Sequence, residues 1–171
     1  MNTTSNLELN APDTASFREG MSRLGAAVHV ITTDGPAGRA GFTASAVCSV
    51  SDSPPTLLVC INRGSASHDA FVRNRVLCVN TLGAGQEDVS RRFSQRMSIE
   101  ERFRGDTWIR LASGAPVLRP SVASFDCEIV NVVSAGTHDV LLCEVRAIDL
   151  RGIPDPALMY AARRYHNIPL V

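Results

Sequence analysis

The side chains with most chemical promise are small and polar, and they gather where apolar runs end. Thr43, Ser45 and Ser49 follow Gly41, and Asn62 and Ser65 flank Gly64. Such residues suit a ligand that needs close backbone approach and many hydrogen bonds, because glycine lets the main chain come near and hydroxyl and amide groups donate and accept. They serve turns equally well, so the same set fits plain strand-end chemistry. Acid–base or metal chemistry has little to work with. The four histidines, His29, His68, His138 and His166, lie far apart, and no cysteine or histidine cluster has ligand spacing, so no metal site is expected. Phosphate-binding glycine loops of the G-x-G-x-x-G and G-x-x-x-x-G-K-[ST] kinds and the G-x-S-x-G nucleophile elbow are absent.

The elements that must position these residues are mostly short strands. Phe17, Met21 and Leu24 fall on one helical face. Residues 27–33 (AVHVITT) read as a strand closed by Asp34-Gly35-Pro36, residues 41–50 as a second, and residues 56–62 (TLLVCIN) as a third, apolar enough to be buried on both sides. A helix fits 67–74 and a strand 76–81. The stretch 86–104 is basic and helical, with Ser98 and Glu101 spaced as a capping box that restarts the helix. Phe125, Cys127 and Ile129 alternate with Asp126 and Glu128; Cys143, Val145 and Ala147 alternate with Glu144 and Arg146; residues 134–139 join these strands as a hairpin. Strands without regular βα alternation predict a mainly antiparallel barrel with small helices outside.

The 171 residues, 44% hydrophobic, suffice for one core, and lysine plus arginine balance aspartate plus glutamate at 17 each. Zero formal charge gives no field for nucleic acid or an anionic membrane. No apolar run approaches the roughly 20 residues of a membrane span, and no secretory signal is visible. Residues 1–14 read as a disordered lead-in and 15–171 as one domain. The cysteines are Cys48, Cys60, Cys78, Cys127 and Cys143, an odd count in apolar stretches, which predicts buried reduced thiols and suits the cytoplasm.

A ligand that fits such strand ends is a flavin, a flat ring edged with donors and acceptors and extended by a phosphate. Hydride transfer from nicotinamide to flavin is the cofactors' own chemistry, and it asks the protein to stack two rings rather than to supply a base.

Longer motifs sharpen this reading. VITTDGPAGRAGFTASAVCSVSDSPPTLLVCINRGS (residues 30–65), LCVNTLGAGQE (77–87), SFDCEI (124–129), GTHDVLLCEV (136–145) and RRYH (163–166) follow one another in order. From about Phe17 to His166 the chain resembles the short-chain flavin reductases that serve two-component monooxygenases. The likeness is greatest to the FMN reductases of pyrimidine utilisation, then to the reductase components of 4-hydroxyphenylacetate 3-monooxygenases. The resemblance implies a flavin reductase-like split β-barrel of Greek-key order, a homodimer, and a flavin near the dimer interface. It also implies NADH or NADPH as reductant, FMN or FAD as acceptor, and a flavin-dependent monooxygenase as recipient of free reduced flavin. By resemblance, Gly41, Phe42, Thr43, Ser45 and Ala46 lie along the flavin ring. Cys60, Asn62, Arg63, Gly64 and Ser65 take the ribityl chain and phosphate, and Arg102 sits near the phosphate. His138, in Gly136-Thr-His138, faces the nicotinamide as a positioning group or an acid. His29, His68 and Trp108 take structural roles. An FAD-preferring reductase of an aromatic hydroxylase, or a non-catalytic flavin-binding split barrel, is the alternative.

Overall fold

The computed structural model describes residues 11–150 and 156–170. Most of the expected lead-in lies outside the described residues. At its end Asp13 accepts a hydrogen bond from Ser16 N at 2.6 Å and caps helix α1 (Thr14–Ser22). Phe17 and Met21 share a face of α1, but Leu24 falls just beyond the C-cap Arg23, and within one chain the three stay 60%, 48% and 62% exposed.

After the two-residue strand β1 (Ala26–Ala27) come β2 (His29–Thr33), β3 (Ala40–Ala44), β4 (Val47–Asp52) and β5 (Pro55–Asn62). Helix α2 (His68–Asn74) and strand β6 (Val76–Thr81) follow, then helices α3 (Glu87–Ser94) and α4 (Ile99–Arg102) and strands β7 (Thr107–Arg110) and β8 (Pro116–Arg119). The long strands β9 (Ala123–Ala135) and β10 (His138–Leu150) form the expected hairpin, and β11 (Ala157–Ala161) and β12 (Arg164–Ile168) complete the order.

The main sheet has seven strands in the order β3-β2-β6-β9-β10-β5-β4, every pairing antiparallel. Its two edge strands, β3 and β4, are neighbours in the chain, linked only by Ser45 and Ala46. So short a link forces the sheet to roll until its edges meet. No ladder joins β3 to β4, so the barrel closes by connectivity and stays split at that corner. The expected mainly β split barrel with small outer helices is the fold observed.

The single strand expected over 41–50 is thereby divided. At the corner Val47 N donates to Ser45 O and Cys60 N to Ala46 O, both at 3.1 Å, as the chain leaves the β2 ladder for the β5 ladder. Strand β5 also departs from expectation. Leu57, Val59 and Ile61 are buried, while Leu58 and Cys60 between them are half-buried, because β5 lies next to the edge of the sheet.

Ile31, Val59, Leu77, Val79, Ile129 and Leu141 fill the barrel. A second core of Val28, Leu82, Phe93, Phe103, Leu118 and Leu158 lies under the helices. Trp108 packs on Phe103 at 4.7 Å between ring centres and donates Nε1–H to Phe103 O at 3.1 Å, the structural role expected of it. Cys78, Cys127 and Cys143 are buried and free, whereas Cys60 is half-buried and Cys48 is exposed on β4. The expectation of five buried thiols therefore fails at Cys48, on the edge strand, and is met only in part at Cys60. No described helix is long and apolar enough to cross a membrane.

Candidate functional site

The rolled sheet brings the end of β3 and the turn after β5 to one side of the barrel, facing the α3–α4 junction. Between them lies a cleft of about 820 Å³. Phe42, Thr43, Asn62, Gly64, Ser65 and Ser67 line one side of it, and residues 94–98 with Arg102 form the opposing wall. A smaller hollow of about 280 Å³ shares Thr43 and Ser94 with it and reaches Ser45, Tyr160 and Tyr165.

Gly41 is required by packing. A Cβ there would stand 2.6 Å from Phe93 Cε1 and 3.1 Å from Ile31 O, so only glycine lets β3 pass beneath that ring. Its carbonyl oxygen accepts from Arg102 Nη1 at 2.6 Å and from Ser67 Oγ at 3.2 Å, which ties β3 to both sides of the cleft. Thr43 Oγ1 donates to Ser90 O at 2.6 Å and fixes the strand to α3.

The turn after β5 is built by its own side chains. Asn62 Oδ1 accepts from Gly64 N at 2.7 Å, Ser65 N donates to Asn62 O at 2.9 Å, and Ser67 N donates to Ser65 Oγ at 3.3 Å. Asn62 and Ser65 thus take the Asx- and Ser-turn roles open to them, while remaining in the cleft wall. Arg102 is similarly committed. Its Nη1 and Nη2 bond to Gly41 O and Gln95 O, and its buried Nε has no partner among the described residues. Arg96, also in the cleft wall, makes no hydrogen bond or ion pair with a described residue and stands ready for an anion.

Four residues named by the resemblance line neither cavity through a side chain: Ala46, Cys60, Arg63 and His138, and Gly41 lies behind the wall. Arg63 turns to the β9–β10 tip, donating N–H to Thr137 O at 3.0 Å and Nη2–H to Gly136 O. Cys60 is paired with Val140 in the ladder, and burial raises its thiol pKa. His138 sits opposite Asn62 where β10 meets β5, exposed, with Nδ1 2.9 Å from Thr137 Oγ1. The strand register therefore sets the Gly136–His138 motif beside Asn62, which itself lines the cleft.

The profile of the flavin reductase-like domain matches residues 21–169. The chain belongs to the flavin reductase-like family. An FMN reductase (NADH) RutF 1 of Methylorubrum extorquens is 59% identical over 157 residues, covering 92% of this chain and 78% of that protein. Among solved structures, the NADH:FAD oxidoreductase SgcE6 of Streptomyces globisporus C-1027, in complex with NAD and FAD fragments, superposes with a TM-score of 0.85 at 28% identity, covering 95% of this chain and 97% of that one. BorF, the flavin reductase component of a bacterial two-component tryptophan halogenase, also gives a TM-score of 0.85, at 27% identity, covering 93% of this chain and 100% of that one.

In this flavin reductase-like chain Arg102 is the one residue of the α3–α4 wall that the sequence singles out for the site; residues 94–98 escape it. Their signal was the Ser98–Glu101 capping box, which forms as expected, with Glu101 N donating to Ser98 Oγ at 3.2 Å and Ser98 N to Glu101 Oε2 at 3.0 Å. A fresh helix start after α3 means an intervening loop whose backbone must face something, and here it faces the cleft. Tyr160 and Tyr165 were also missed, because β11 and β12 gave no strand signal. His29 is structural as expected: burial drives its pKa down to about 4, and Nδ1 rests 3.1 Å from Thr81 Oγ1. His68 does more than fill space, since Nε2 lies 2.8 Å from Asp139 Oδ2. That contact raises the His68 pKa and lowers that of Asp139.

Proposed function

We propose that the protein is an NADH-dependent FMN reductase that supplies free reduced flavin to a flavin-dependent monooxygenase, of the kind that serves pyrimidine utilisation. The observation that carries this reading is the cleft between Thr43, the 62–67 turn and Arg96, in a chain 59% identical to a protein named FMN reductase (NADH). BorF, named as the reductase component of a two-component halogenase, supports a diffusible-flavin partnership.

The residues present fit a flavin mononucleotide. The wall offers hydroxyls at Ser65, Ser94 and Ser98 for a polyhydroxyl chain. Arg96 makes no hydrogen bond or ion pair with a described residue, which fits an anionic end to the ligand. Phe42 and the β3 backbone offer an apolar edge for a ring. Bound flavin supplies the electron-accepting ring, and the nicotinamide supplies the hydride. The chain's residues bind and orient: β3 supports the ring, the 62–67 turn and Arg96 hold the tail, and His138 beside Asn62 donates an N–H to the nicotinamide carboxamide. Such positioning matters because hydride transfer needs reacting atoms about 3–3.5 Å apart.

A homodimer belongs to the same reading. The smaller hollow opens beside Tyr160, and α1, tied to the β11–β12 turn by Arg163 and Glu19 at 2.8 Å, carries exposed Phe17 and Met21, with exposed Leu24 just beyond it. A second copy would cover these side chains and complete the ring site. Free thiols agree with a cytoplasmic setting. The reading is tested by following NADH absorbance as FMN is titrated: oxidation should rise from near zero to saturation with added FMN. Flavin binding without NADH turnover would mark a carrier instead.

A further inference from the structure

We propose that His68, acting through Asp139, is a positioning residue that fixes the hairpin tip carrying His138. The inference rests on the reading of His138 as the nicotinamide-facing group, and it adds a residue outside both cavities.

Asp139 follows His138 at the start of β10, and its side chain is only 7% exposed. Both carboxylate oxygens are engaged: Oδ2 by His68 Nε2 at 2.8 Å and Oδ1 by Ser134 Oγ–H at 2.8 Å. Ser134 and Asp139 are ladder partners on either side of the Gly136-Thr137 turn. One carboxylate therefore staples the two legs of the hairpin together, and His68 anchors that staple to the first residue of α2. Arg63 grips the turn itself through Thr137 O and Gly136 O. Held on two sides, the backbone of His138 is fixed, while its exposed side chain contacts only Thr137 Oγ1 among the described polar groups.

The charged groups around His68 are Asp139 from β10 and Asp69 from its own helix, the latter with Oδ1 3.2 Å from Nδ1; Arg63 faces Asp139 from the turn after β5. The hydrogen bond to Asp139 holds His68 protonated above its ordinary 6.5 and, with Ser134, holds Asp139 ionised below its ordinary 3.8. The staple is at full strength between those ordinary values. It weakens as pH rises through the raised His68 pKa, where one neutral N–H still donates, and fails as pH falls through the depressed Asp139 pKa.

The test compares His68→Ala, His68→Gln, His138→Ala and the double variant His68→Ala/His138→Ala in the full-length protein. Readouts are the NADH KM against pH, FMN affinity by fluorescence quenching, and amide hydrogen exchange at residues 136–139. His68→Ala should raise the NADH KM several-fold, leave FMN affinity within twofold, and speed exchange at the tip. His68→Gln, which keeps a donor without a titrating charge, should restore the KM and remove its alkaline rise. In the double variant the KM should be no higher than for His138→Ala alone. Independent, multiplying effects of the two histidines, or unchanged tip exchange in His68→Ala, overturn the proposal. A normal NADH KM in His138→Ala overturns the nicotinamide role of His138, and tip exchange in His68→Ala then still decides whether His68 holds the hairpin.

Discussion

Arg102 Nη1 lies 2.6 Å from the carbonyl oxygen of Gly41, so the cation expected beside a flavin phosphate is bound to the strand expected beneath the flavin ring. Its second Nη bonds Gln95 O at 2.9 Å, which leaves Arg96 as the uncommitted cation of the cleft wall among the described residues. The two arginines should then fail differently. Arg102→Ala removes two hydrogen bonds at about 0.5–1.5 kcal/mol each, so it should lower the thermal midpoint and raise the KM for FMN and riboflavin alike. Arg102→Lys should stay impaired, since a point charge cannot reproduce the fork. Arg96→Ala should raise the FMN KM several-fold, spare riboflavin, and leave the midpoint unchanged. Steady-state kinetics with the two flavins, beside thermal melts, separates these outcomes.

Asn62 and Ser65 offer a graded comparison. Asn62 Oδ1 accepts from Gly64 N at 2.7 Å, a full turn bond, whereas Ser65 Oγ accepts from Ser67 N at a long 3.3 Å. Asn62→Ala should therefore cost about 0.5–1.5 kcal/mol of stability and raise the FMN KM several-fold. Ser65→Ala should raise the FMN KM with little change in stability. Urea unfolding beside flavin titration checks both. A Ser65→Ala variant with normal flavin affinity would remove that hydroxyl from the ligand site.

The fold was legible wherever burial imposes a period. Strand β6 matches its expected span, and Cys127, Glu128 and Ile129 of β9 alternate as read, but Asp126 does not: it is fully buried and accepts from Ser113 N at 2.7 Å, a partner 13 residues away that the alternation could not show. The β11–β12 hairpin escaped because its turn uses Ala162 and Arg163 at φ 49° and 60°, without the glycine or asparagine that normally announces such a turn. The corner at Ser45-Ala46 escaped because a strand that changes ladders keeps its composition. At the site, the β3 and β5 ends were readable as small polar residues after apolar runs. The opposing wall was not, since residues 94–98 acquire their role only when the barrel rolls α3 and α4 against β3. His68 and Asp139 are 71 residues apart, and only the β5–β10 register and the seating of α2 bring them together.

Dimerisation should be visible directly. Light scattering should return about twice the 18.4 kDa chain mass. Met21→Asp, which places a charge on the exposed apolar face of α1, should shift the protein towards monomer and reduce turnover with it. A fully active monomer would contradict a ring site completed by the second copy.

If the protein is a reductase of diffusible flavin, reduced FMN must leave it as a product. Two anaerobic chambers separated by a membrane that retains proteins test this: the reductase, NADH and catalytic FMN on one side, ferricytochrome c on the other. Cytochrome in the far chamber should be reduced at a rate that scales with FMN, and the reduction should stop when either FMN or the reductase is omitted. Rapid NADH oxidation on the near side that never reduces the distant cytochrome above the enzyme-free control would contradict release of the reduced flavin.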